Sequence, residues 1–237
     1  MMRLYTPHEH MVSRVARALG PELASRIAFV GGCATPLLVT DELVHAGVRF
    51  TDDVDVIVHV LGFGEWYALE GHLAQRGFRN SQEDDVLCRK RLRDDEPEEL
   101  IVDFMPDDQR ILGFSNRWYT QALESAFDCV LSDGSVVRVV NAPYFVGTKL
   151  EAYKGRGNND PLGSRDVEDI LNVIAGRPSL IDEVERSPVD LRQGIAEDLA
   201  MLMRVRDFDY AVASACNGNV ARERQIFERL DALTVGV

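Results

Sequence analysis

The apolar positions follow two different periods along the chain. From Pro7 to Leu19, Val12, Val15, Ala16 and Leu19 recur at helical spacing. "RIAFVGG" (Arg26–Gly32) is a short apolar run ended by glycines and predicts a strand. "ATPLLVTDELVHAG" (Ala34–Gly47) predicts one helix, stopped by Gly47. "DVDVIVHV" (Asp53–Val60) is β-branched and alternates with period two, which predicts a second strand. "FGEWYALEGHLAQRG" (Phe63–Gly77) predicts a helix, again closed by a glycine. "DVLCRKRLR" (Asp85–Arg93) and "ELIVDFMP" (Glu99–Pro106) predict two strands around the acidic turn "DDEPE". "DCVLSDGSVVRVV" (Asp128–Val140) predicts a hairpin turning at Asp133-Gly134. From Pro143 onward the pattern is helical, apart from the polar loop "GRGNNDPLG" (Gly155–Gly163). Residues 1–140 therefore predict an α+β domain and residues 141–237 a helical region, with a boundary near Asn141.

Composition narrows the class. A chain of 237 residues, 46% hydrophobic and 27% charged, can build one large or two small cores and does not have the make-up of a disordered protein. No apolar run approaches the roughly 20 residues of a membrane span, so no membrane partner is expected. "MMRLYTPHEHMVSRVARALG" lacks the continuous apolar core of a signal peptide. Cys33, Cys88, Cys129 and Cys216 form no C-x-x-C pair, which argues against zinc ligation and a disulfide framework. A reduced, cytoplasmic protein is the expectation. The net charge of −13 repels phosphate backbones and argues against a broad nucleic-acid footprint. It leaves room for a local basic groove. In "VLCRKRLR", Arg89, Arg91 and Arg93 share one face of a strand, either as a phosphate-binding strip or as a charged, protected edge.

Two aspartates in an apolar strand need a reason. Asp53 and Asp55 are two apart, so both carboxylates point the same way. Their repulsion is relieved by a divalent cation, and hard oxygen ligands suit Mg²⁺ or Mn²⁺. A strand end with solvated aspartates has the same pattern. Asp103 is a third carboxylate, inside the apolar "LIVDFM". Gly31-Gly32 closes the first strand, and glycine there lets a phosphate approach backbone N–H groups. Lys149 is placed near the start of one predicted helix, while Arg165, Asp166 and Asp169 open the next. Asp166 and Asp169 are three apart, on one face.

Gly31-Gly32 followed by R-x-T-x-D-x-D (Arg49, Thr51, Asp53, Asp55) resembles the signature of the DNA polymerase β-type nucleotidyltransferase superfamily. "KLEAYKGR…SRDVEDI" (Lys149, Arg156, Arg165, Asp166, Asp169) resembles the second block of its AbiEii-like branch, which includes toxins of toxin–antitoxin and abortive-infection systems. The resemblance covers roughly residues 26 to 175 and leaves residues 177–237 without a motif. The gap of 20 residues between Gly32 and Asp53 exceeds the superfamily's usual one and predicts an extended helix or loop before the second strand.

The resemblance implies a nucleotidyltransferase-type mixed β-sheet flanked by helices, followed by a helical C-terminal domain that completes the active site. It implies transfer of a nucleoside monophosphate from an NTP to an acceptor hydroxyl. Asp53, Asp55 and Asp103 would hold Mg²⁺ (or Mn²⁺), with Asp103 helping to deprotonate the acceptor. Gly31, Gly32 and Lys149 would hold phosphates, with Arg49 and Thr51 also on the nucleotide. Asp166 would orient the acceptor or nucleotide, or act as a base. The acceptor would be RNA, such as a tRNA end, or a protein, with an antitoxin protein as a further partner. An aminoglycoside or lincosamide is the alternative acceptor, favoured by the acidic total, and a catalytically inactive binding module is a third reading. The intact Asp53, Asp55, Asp103 and Lys149 argue against inactivity.

Overall fold

A computed structural model describes residues 6–80 and 86–235. The protein is α+β, with a seven-stranded mixed sheet flanked by helices. Its contacts divide it into two units, Met1–Leu37 with Phe50–Asn141, and Leu38–Arg49 with Ala142–Val237.

The first unit opens with α1 (Pro7–Ala24), where Thr6 caps the N-terminus and Pro7 occupies the first turn. Gly20, at φ +68°, and Pro21 kink this helix at the point where the apolar spacing predicts an end. β1 (Ile27–Val30) leads through the turn Gly32–Ala34 into α2 (Thr35–Leu38). In the second unit the chain forms α3 (Glu42–His45) and then returns to the sheet as β2 (Asp53–Val58). There follow α4 (Phe63–Gln75), β3 (Phe78–Arg79), β4 (Arg89–Leu92) and β5 (Leu100–Pro106). Two short helices, α5 (Gln109–Leu112) and α6 (Tyr119–Glu124), precede the hairpin β6 (Phe127–Val130) and β7 (Val136–Val139). The spacing of apolar residues did not predict β3, α5 or α6. The start of the predicted strand at Asp85 lies outside the described residues.

The sheet order is β3-β4-β5-β2-β1-β7-β6. β2 is central, antiparallel to β1 and parallel to β5. Val54, Val56, Val102 and Phe104 fill one face of these two strands and are fully buried. Phe104 meets Phe78 edge-on at 5.4 Å, and Lys90 on the same face reaches Glu70 and the ring of Trp66 on α4. The opposite face carries the polar residues of the site.

The second unit contains α3 and the helices α7 (Ala142–Arg156), α8 (Arg165–Gly176), α9 (Leu180–Glu185), α10 (Val189–Met203), α11 (Phe208–Ala215) and α12 (Val220–Thr234). The single helix predicted over Ala34–Gly47 is broken into α2 and α3. The amides of Thr40 and Asp41 donate to the Gly176 carbonyl at 2.8 and 2.9 Å, so they cannot continue α2. The Asp41 carboxylate then caps α3 by accepting from Leu43 and Val44 at 3.0 Å each. A Cβ on Gly176 would stand 2.5 Å from a Val39 methyl, so glycine permits this close seating on α8. The extended gap between Gly32 and Asp53 thus supplies the segment Leu38–Arg49 to the second unit.

All four cysteines are free thiols, and burial pushes Cys88 up to about 11. Among the described residues, no helix is long and apolar enough to cross a membrane.

Candidate active site

Strand alternation sets the first cluster. With Val54 and Val56 facing the core, Asp53 and Asp55 share the other face and are half-buried. Parallel pairing places Asp103 of β5 beside Asp55, and antiparallel pairing places Arg89 of β4 beside Asp103. One row across the sheet therefore reads Asp55, Asp103, Arg89. The Arg89 guanidinium closes on Asp103 as a fork, Nε to Oδ1 at 3.0 Å and Nη2 to Oδ2 at 2.9 Å. Thr51 Oγ1 donates to Asp53 Oδ1. Thr51, expected on the nucleotide, therefore positions a carboxylate here.

Gly31 follows β1, whose Val30 pairs with Asp55. Its φ of +73° favours glycine, and a Cβ there would lie 1.8 Å from Asp55 Oδ2. The backbone is thus a cradle for the Asp55 carboxylate. Gly32 opens a three-residue turn and α2 has four residues, so no long helix N-terminus follows the pair. Gly31→Ala should push Asp55 out of place and strain the backbone, costing about 1–3 kcal/mol. Thermal unfolding and the transfer assay proposed below check this together. Unchanged stability would show that the cradle tolerates a methyl group.

The strip of three arginines divides in the structure. Arg89 is held by Asp103, Arg91 stands opposite Arg79 of β3, and Arg93 leaves the strand and pairs with Glu99. The fork on Asp103 depends on which strands pair, so the local sequence carries no signal for it.

A second cluster is confined to the second unit. Lys149 is the eighth residue of α7, so it lies in mid-helix and not near the helix start as expected. It is 7% exposed, and its Nζ is shared between Asp166 Oδ1 at 3.1 Å and Asp169 Oδ2 at 2.7 Å. Arg156 closes a fork on Asp166 at 2.9 Å for both bonds. Arg49, expected on the nucleotide, meets Asp169 Oδ2 at 3.2 Å and Glu168 Oε2 at 3.3 Å. Three cations thus face three carboxylates. Ser164 caps α8 by accepting from the Val167 amide, and Asp166 and Asp169 on that helix meet Lys149 of α7. Burial pushes the Asp166 carboxyl up, but Arg156 and Lys149 outweigh it and hold the group below the usual range. Burial, helped by Asp169 and opposed by Arg49, pushes Glu168 up. An ionised Asp166 in two ion pairs is a poor base, and a phosphate reaching Lys149 would compete with two carboxylates.

Among the described residues, no group of three or more His, Cys, Asp or Glu side chains is gathered closely enough to hold a metal ion. Asp53 and Asp55 present two hard oxygen donors on one strand face, a donor type that suits a divalent cation and that would leave its remaining ligands to other groups. A cleft of about 350 Å³ in the second unit, lined by Tyr153, Lys154, Asp198 and Met201 among others, contains none of these site residues. No protein-family model matches the chain, and no curated protein matches its sequence.

Proposed function

We propose that the protein is a Mg²⁺- or Mn²⁺-dependent nucleotidyltransferase with a nucleotidyltransferase-type fold. One observation carries the reading: Asp53 and Asp55 share a strand face, and the Gly31 backbone makes room for the Asp55 carboxylate. A divalent cation bound there would neutralise the triphosphate and polarise the α-phosphorus. Asp53 and Asp55 would hold that cation, and through it the α-phosphate would be kept in line with the acceptor. The acceptor oxygen forms a bond to that phosphorus, the α–β bridge breaks, and pyrophosphate leaves with the electron pair. The hydroxyl proton passes to solvent or to a carboxylate of the same face. Thr51 fixes Asp53, so the acceptor meets a preset carboxylate pair.

The acceptor in this reading is RNA, such as a tRNA end, or a protein hydroxyl, as in a toxin-like enzyme held in check by an antitoxin protein. The net charge of −13 favours a second reading, in which the acceptor is a cationic small molecule such as an aminoglycoside. The second-unit cluster enters as a structural element joining α7, α8 and the Arg49 segment. The test is incubation with each labelled NTP and Mg²⁺, with total RNA, total protein or a drug panel in separate arms. Label transferred from one NTP to RNA or protein is expected. Label on a drug alone selects the second reading, and no transfer in any arm overturns both.

A further inference from the structure

A smaller cavity in the second unit, of about 70 Å³, is walled by α3, α8, the end of α11 and the start of α12. Asn172 of α8 lines it and is 8% exposed. Among the described residues, the Asn172 side chain has no hydrogen-bond partner. A buried amide left unpartnered costs free energy, so the position calls for a ligand that accepts from its N–H groups or donates to its carbonyl. The sign of the local charge decides which. Among the described residues that line the cavity, Arg222 alone is charged. Its side chain is half-buried and makes no hydrogen bond or ion pair with any described residue. Arg49 and Arg177, half-buried in the same unit, are each held by a carboxylate. Arg222 is the third residue of the 15-residue α12, so its side chain leans toward the helix start, where the dipole is positive. A cation would be repelled there, and water would leave the guanidinium charge uncompensated. A tetrahedral oxyanion can accept from α12 and α8 at once.

We propose that this cavity binds one phosphate group, with Arg222 and Asn172 as its donors. The proposal does not rest on the nucleotidyltransferase reading. The cavity shares Val44, Ala175 and Arg222 with an open cleft of about 390 Å³, which Arg224, Asp41 and Glu228 also line. The two carboxylates disfavour a second anionic group in the cleft. The phosphate is therefore either free or the end of a monoester whose uncharged body lies in the cleft beside Arg224.

Calorimetry of the full chain with inorganic phosphate, glycerol phosphate and, as a control, chloride tests this at constant ionic strength. Wild type should bind both phosphates and not chloride. Arg222→Gln should weaken inorganic phosphate by about tenfold to a hundredfold, the scale of a lost charge-assisted hydrogen bond. Asn172→Leu should weaken it by about threefold to tenfold, the scale of a neutral one. If Asn172→Leu does not fold, Arg222→Gln decides alone. Phosphate should raise the melting temperature of the wild type and not that of Arg222→Gln. Equal affinity for the two phosphates assigns the cavity to free phosphate. Tighter binding of the ester, reduced by Arg224→Gln, assigns it to an organic phosphate, and either outcome supports the site. No phosphate uptake by wild type, or undiminished uptake by Arg222→Gln, overturns the proposal and leaves the nucleotidyltransferase reading untouched.

Discussion

Asp55→Asn should lower nucleotidyl transfer by about a thousandfold or more while leaving the fold intact. The substitution keeps the side chain's size, so the Gly31 cradle and the β1–β2 pairing stay filled. What it removes is a charged oxygen ligand, and metal stabilisation of the transferring phosphate is worth several kcal/mol, about a factor of ten per 1.4 kcal/mol. Stability should move the other way. Asp53 and Asp55 are like charges on one face, and removing one relieves repulsion. The melting temperature without metal should hold or rise. Val54→Ala is the control: Val54 is fully buried on the other side of the same strand, so its truncation should cost stability and spare the chemistry. Asp55→Asn with near-wild-type transfer would remove the carboxylate pair from the mechanism.

The part of the site that the sequence revealed is the part set by local geometry. The period of two in "DVDVIV" places Asp53 and Asp55 on one face whatever the rest of the fold does. β1, β5, α4 and the Asp133-Gly134 hairpin are likewise written in local periodicity and turn chemistry. What was not legible depends on partners far along the chain. Ala34–Gly47 reads as one helix, and it breaks because the Gly176 carbonyl takes two of its amides. Arg89 reads as one of three similar arginines until the β4–β5 register sets it against Asp103. Lys149 reads as a cation near a helix start, yet α7 begins at Ala142 and carries it into the interior toward α8. β3 has two residues, too few for a period to show.

Lys149→Met should destabilise the protein by about 3–5 kcal/mol, the usual cost of removing one partner from a buried ion pair. Lys149 and Asp169 are 7% and 0% exposed, so solvent cannot replace the lost ammonium. Asp169 would keep Arg49, and Asp166 would keep Arg156, but neither carboxylate would have a cation between them. The pH dependence tests the cause. In the wild type, the Asp166 carboxyl is held below its unfolded value of about 3.9, so its stabilising contribution is complete above that pH and is lost as pH falls through the folded value. In Lys149→Met the same burial acts without the ammonium, so Asp166 takes up a proton more readily when folded. Acid then relieves the variant while the Asp166 contribution in the wild type is still complete at pH 4.5, so the stability gap should narrow from pH 7 toward pH 4.5. Denaturant unfolding of both proteins at the two pH values measures it. A lysine serving mainly to bind phosphate would give the opposite profile: wild-type stability at both pH values, with the loss confined to NTP affinity.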